Sequence, residues 1–98
     1  MTGRQRQFAV YMMSNRRHGT LYVGMTSNLK VRAFEHREGL VDGFTRRYGL
    51  HRLVWFETHP SAESAITREK LMKKWNRDWK IKLIEQGNSA WADLSSSL

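Results

Sequence analysis

Ninety-eight residues can build one hydrophobic core but not two, and 40% hydrophobic with 11% aromatic residues excludes a disordered chain. The absence of cysteine excludes disulfides, thiolate zinc ligands and a thiol nucleophile. Seventeen Lys and Arg against nine Asp and Glu leave a net charge of +8, which in so small a chain points to a polyanionic partner, nucleic acid ahead of an anionic membrane surface.

In chain order, residues 1–7 (MTGRQRQ) are polar and expected to fray. Residues 8–13 (FAVYMM) form an apolar run of strand length, 14–19 (SNRRHG) a turn, and 20–24 (TLYVG) a second, β-branched and aromatic run, together a β-hairpin. Residues 27–38 read as a helix with Ser27 as N-cap and Gly39 as its stop. Residues 39–51 carry three glycines and read as a loop, and 52–58 (RLVWFET) as a third strand. After Pro60, Ser61 caps a helix running to about Trp75. Residues 77–86 form a further helix closed by Gly87. The remainder is irregular, with Trp91 and Leu94 able to tie it to the core. The order β-β-α-β-α-α describes one α+β domain over residues 1–98: a small, three-stranded, mostly antiparallel sheet flanked by helices. No apolar run reaches the ~18 residues of a membrane span, and no signal-peptide pattern opens the chain, so a soluble cytoplasmic protein is expected.

Pairing the hairpin symmetrically about residues 14–19 sets Met13 opposite Thr20 and Tyr11 opposite Tyr22, both phenols on one face and roughly 5 Å apart at Cβ. Taken alone, this is a stabilising aromatic pair. Gly24 adds a second signal, because glycine in a strand often marks close approach of a ligand or backbone. Arg32 and His36 share a helix face at i and i+4, a phosphate clamp beside a proton acceptor. Glu69 lies within the apolar stripe of Ala62, Ala65, Ile66 and Met72. A carboxylate on a core-facing stripe must be paired or bind a metal. It is either a salt-bridge partner, Arg32 being one candidate, or a metal ligand reaching a cleft.

With those residues in view, the chain resembles the GIY-YIG nuclease domain, in its small stand-alone bacterial type. AVY at 9–11 and YVG at 22–24 stand where that family has its two tripeptides. They are followed by TSNLKVRAFEH with Arg32 and His36, FTRRYG at 44–49, RLVWFE at 52–57, and REKLMKKW with Glu69. The similarity runs from about residue 8 to 94. Ala9 and Val10 replace the Gly and Ile of the first tripeptide, and Val23 the Ile of the second; both tyrosines are kept. Asn88 matches the late asparagine of the family.

The resemblance implies metal-dependent hydrolysis of a DNA phosphodiester by an endonuclease. One Mg²⁺ or Mn²⁺ would sit on Glu69 and keep most of its waters, since no Asp/Glu cluster suggests two metals. Arg32 would clamp a phosphate oxygen. Tyr11 or Tyr22 would activate or orient water, with Tyr11 favoured as base and His36 assisting, and Gly24 would admit the substrate backbone. Arg46, Arg47, Tyr48 and Asn88 are the expected substrate contacts, joined by Arg68, Lys70, Lys73, Lys74, Arg77, Lys80 and Lys82 for non-specific phosphate grip. With no sequence-reading module, a monomer choosing branched, flap, nicked or single-stranded DNA by shape is expected, and RNA remains open as a target. His18, His51 and His59 read as surface, and the four tryptophans as packing residues. The competing reading is a non-catalytic nucleic-acid-binding module, or an accessory partner of a repair complex. The polar set at 11, 22, 32, 36 and 69 weighs against it, because a pure binder has no need of a carboxylate on an apolar stripe.

Overall fold

A computed structural model describes residues 7–41 and 43–98; the expected frayed start therefore lies, except for Gln7, outside the described residues. The elements are β1 (Phe8–Ser14), β2 (Leu21–Thr26), α1 (Leu29–Arg37), α2 (Phe44–Arg47), β3 (Arg52–His59), α3 (Ala62–Lys74), α4 (Arg77–Gly87) and a closing 3₁₀ turn (Leu94–Ser97). The three strands form an antiparallel sheet in the order β2-β1-β3. The α+β architecture follows the expected order, with α2 added.

β1 is central, and Ala9 through Ser14 are all buried because helices cover both faces of the sheet. Alternation sends Val10 and Met12 to one side, where they meet Ala65 and Met72 of α3, Ile84 of α4 and the fully buried Trp91. Tyr11 and Met13 go to the other side, with Ala33 of α1, Leu50 and Leu53. Between β1 and β3 the register slips at Met12/Met13: Met12 pairs with Trp55 and Met13 with Leu53. Val54 is left over as a bulge, so it and Trp55 both turn toward the Trp91 core.

Three local expectations need correction. The hairpin pairs Tyr11 with Gly24 and Met13 with Tyr22, two residues away from the symmetric register. The reason lies in the turn. Ser14 Oγ donates to Arg16 O, and Asn15 Oδ1 accepts from Thr20 N, so β1 gains Ser14 and the loop becomes residues 15–20. A slip of two preserves facing, so both phenols still share one side. Helix α1 is capped by Asn28, whose Oδ1 accepts from Val31 N, rather than by Ser27. Gly39 does follow the helix, in left-handed conformation (φ 70°). The expected 39–51 loop contains the one-turn α2, bracketed by Gly43 (φ 91°) and Gly49 (φ 65°). Ser61 caps α3 as expected, accepting from Ser64 N. Trp55 and Trp75 pack partly against the core, and Trp79, 57% exposed, packs edge-on against the Trp75 ring at 6.0 Å between centroids. No helix among the described residues is long and apolar enough to cross a membrane.

Candidate active site

The sheet face that carries α1 brings the singled-out tyrosines together. Tyr11 lies at its centre, only 2% exposed, with Tyr22 on the edge strand beside it (ring centroids 6.2 Å apart). Gly24 is opposite Tyr11, and the space a Cβ would need there is already taken. Such an atom would stand 2.6 Å from Tyr11 Cζ and Oη and 2.8 Å from Tyr22 Cε2. The glycine of the second tripeptide is thus required by the two phenols themselves.

One turn of α1 separates Arg32 from His36, and the helix delivers His36 onto both rings, 5.5 Å from Tyr11 and 5.7 Å from Tyr22 between centroids. Tyr11 Oη and His36 Nε2 share a buried hydrogen bond of 2.9 Å. His36 is 2% exposed, and its Nδ1 has no hydrogen-bond partner among the described residues. Its backbone oxygen accepts from His51 Nδ1 at 2.8 Å, so His51 supports the site from the surface.

Burial and charge set the protonation of this pair. Burial pushes the Tyr11 phenol well above its ordinary value; the neighbouring Tyr22 adds to this, Arg32 opposes it, and Glu69 raises it further. Burial, then the positive charge of Arg32 and the neighbouring His51, lowers His36 to about 4. At neutral pH the pair is a protonated phenol against a neutral imidazole.

Glu69 projects from α3 and acts on Tyr11 through its field. Within the expected stripe, Ala65 and Met72 are fully buried, whereas Ile66 is 40% exposed. Glu69 sits at the edge of the buried strip, its side chain 19% exposed, paired with Lys73 at 3.0 Å. Arg32 is not its salt-bridge partner: that guanidinium pairs with Glu35 at 3.3 Å on its own helix. Among the described residues no group of three His, Cys, Asp or Glu converges.

Beyond this centre, α2 places Arg46, Arg47 and Tyr48 on an exposed turn, with Arg47 over the Tyr48 ring at 5.7 Å. Phe44, absent from the expected set, links them inward: its ring stands 6.4 Å from Tyr22 and 4.7 Å from Tyr48. The i, i+4 spacing of Phe44 and Tyr48 was the available signal, hidden by reading the stretch as a loop. Asn88 lies apart from the phenols. Its Nδ2 donates to Val54 O and Ala92 O, and its Oδ1 accepts from Ala92 N, which fastens the bulge to the chain end. Of the basic residues expected to grip phosphate, Arg68 is engaged with Glu57 (3.1 Å) and Arg77 with the carbonyls of His18 and Gly19. His59 is not a plain surface residue: it bridges Glu57 and Ser64 at 2.7 and 2.9 Å.

The model of the GIY-YIG catalytic domain matches residues 7–82. The chain belongs to the GIY-YIG family. Among relatives, the UPF0213 protein CPE1444 of Clostridium perfringens is 38% identical over 65 residues, covering 66% of this chain and 70% of that protein. A UPF0213 protein of Streptococcus sanguinis is 34% identical over 68 residues, covering 69% of this chain and 78% of the other. The solution structure of the UPF0213 protein BH0048 from Bacillus halodurans superposes with a TM-score of 0.55 at 28% identity, covering 89% of this chain and 92% of that one. GIY-YIG domains are generally endonucleases, and membership implies nuclease-type chemistry on a nucleic acid.

Proposed function

We propose that this protein is a divalent-metal-dependent endonuclease that hydrolyses DNA phosphodiesters and selects its substrate by structure rather than sequence. The observation that carries the reading is the buried 2.9 Å contact between Tyr11 Oη and His36 Nε2, with Arg32 and Glu69 both acting on the phenol.

Tyr11 accepts a hydrogen bond from the attacking water and orients it toward phosphorus. A phenol with a raised pKa is a weak base by itself. His36 supplies the missing acceptor: it is neutral at working pH, and the tautomer with its proton on Nδ1 turns the Nε2 lone pair toward the Tyr11 hydroxyl. As water loses its proton to Tyr11, Tyr11 passes its own to His36. Arg32 clamps a non-bridging phosphate oxygen and stabilises the charge that develops there. Tyr22 fixes the position of the water or phosphate, and Gly24 leaves room for both rings. Glu69 offers one carboxylate at the edge of the buried strip, a donor set that fits one hard cation keeping most of its waters and poorly fits a caged metal. Bound there, Mg²⁺ or Mn²⁺ would supply charge neutralisation at the phosphate and leaving oxygen. Lys73, now on Glu69, would turn to the substrate phosphate once the carboxylate is otherwise engaged.

The test is incubation with end-labelled duplex, single-stranded, flap and branched DNA and a matched RNA strand, with Mg²⁺, Mn²⁺ or chelator. Cuts that need metal, depend on DNA shape and disappear in Glu69→Ala and Tyr11→Phe support the proposal. Binding without cutting on every substrate refutes it in favour of a binding module.

A further inference from the structure

The rings of the site do not stop at Tyr22. From His36 the chain of contacts runs through Tyr22 to Phe44 and on to Tyr48, with Tyr22 and Phe44 inclined by only 28°. Exposure rises along it. Tyr11 and His36 are 2% exposed each, whereas Phe44 is 46% and Tyr48 47% exposed. Two large rings left half in water, in contact with each other and leading out of a buried catalytic pair, present an apolar surface that, among the described residues, only Tyr22 meets with an aromatic ring from outside α2, against Phe44. The backbone holds them there deliberately. Gly43 and Gly49 both take left-handed conformations, and the single helical turn between them sets residues 44 and 48 on one side.

We propose that Phe44 and Tyr48 form a stacking platform for an unpaired nucleobase flanking the scissile phosphodiester, with Arg47 backing the Tyr48 ring. This rests on the nuclease reading and specifies how that site recognises its substrate. The chemistry matches an aromatic base from both sides. A base stacks on a ring whatever its identity, and a guanidinium across the same ring adds cation–π attraction and a positive charge for the adjoining phosphate. Inside a duplex both faces of a base are covered by its neighbours, so only a splayed, flap or single-stranded base can use the platform. Structure selectivity then resides in α2 rather than in the Tyr11–His36 pair. If the two aromatics served only to pin residues 40–51, leucine would serve as well.

The experiment uses the full chain carrying Glu69→Gln, which is expected to bind without cutting. A DNA flap carrying 2-aminopurine at the unpaired position nearest the junction is titrated, with plain duplex as comparison. Stacking quenches the 2-aminopurine emission. Adding Phe44→Leu should abolish the quench and weaken binding of the flap by about tenfold, within the ~1–3 kcal/mol of one stacked base converted at 1.36 kcal/mol per tenfold. Duplex affinity should change less than about twofold. Phe44→Trp should keep the quench, which guards against a Phe44→Leu protein that merely misfolds. An unchanged quench in a folded Phe44→Leu protein, or equal loss of flap and duplex binding, overturns the platform. These readings concern binding alone. Failure of the nuclease assignment would appear separately, as absence of metal-dependent cutting by the wild-type chain.

Discussion

Replacing Gly24 with alanine tests the site's geometry at one atom. The added Cβ would lie 2.6 Å from Tyr11 Cζ and Oη and 2.8 Å from Tyr22 Cε2, against the ~3.4 Å or more of ordinary carbon contacts, so rings must move by nearly an ångström. Tyr22 is half-buried on the edge strand and can swing. Tyr11 cannot, being 2% exposed and hydrogen-bonded to His36. Overpacking of this kind costs about 1–3 kcal/mol. Losing the Tyr11–His36 bond leaves buried polar atoms unpaired and adds about 1 kcal/mol or more. Against this, alanine is better than glycine in a strand by roughly 0.5–1 kcal/mol. The balance is a loss of about 2 kcal/mol, which lowers Tm by ~8–16 °C in a chain of this size. Thermal unfolding followed by circular dichroism measures it, with cleavage followed in parallel. In a Tyr11→Leu background the same substitution should be less damaging, because the nearest obstructing atoms are gone. A Gly24→Ala protein with wild-type Tm and wild-type cleavage would refute the argument that the two phenols require this glycine.

The other expectations follow from single contacts. His36 takes up its proton near pH 4 when folded and near 6.5 when unfolded, so the unfolded chain binds more protons between those values and stability falls as pH drops from about 6.5 toward 4. The full effect is about 3 kcal/mol at 1.36 kcal/mol per pH unit, and denaturant titrations should show that a His36→Gln variant loses this part of the acid slope. Asn88→Ala removes the donor to Val54 O and both bonds to Ala92. Because Val54 is fully buried, its carbonyl would be orphaned at a cost of about 1–3 kcal/mol, read as a lowered midpoint in urea. Arg47→Ala should weaken DNA binding and make it less salt-sensitive, the log–log slope falling by about 0.9 if one phosphate contact is lost. An unchanged slope would remove Arg47 from the phosphate path.

The element order and the polar set at 11, 22, 32, 36 and 69 stood out through strand-length apolar runs, helical spacing and the resemblance to the two tripeptides. β1 and β2 are short apolar runs about a polar break, α1 stacks Arg32 over His36, and α3 places Glu69 between Ala65 and Met72. What escaped the sequence was fixed by contacts between distant segments or by side chains bonding to nearby backbone. The hairpin register depended on Ser14 and Asn15 bonding inside the turn, so symmetry about the polar break placed Tyr22 opposite Tyr11 when Gly24 is there. Ser27 and Asn28 are both good caps, and the backbone chose the second. The one-turn α2 lies between glycines that read as loop, and a loop has no helical period to set Phe44 beside Tyr48. The amide of Asn88 is committed to a bulge carbonyl 34 residues away, a partner that no local pattern announces.

The most direct test of the central claim compares Glu69→Gln with the wild type in cleavage, DNA binding and thermal stability, with Mn²⁺ or Mg²⁺ present. The Glu69–Lys73 pair is an i, i+4 contact with a half-exposed lysine, worth only about 0.3–0.5 kcal/mol, so Tm should move by a few degrees at most. If the carboxylate serves the reaction, cleavage falls by about a hundredfold or more, the scale of removing one transition-state stabilising group, while DNA binding stays within about twofold. A variant that cuts DNA at the wild-type rate, or a wild-type chain that cuts equally well in chelator, would contradict the account.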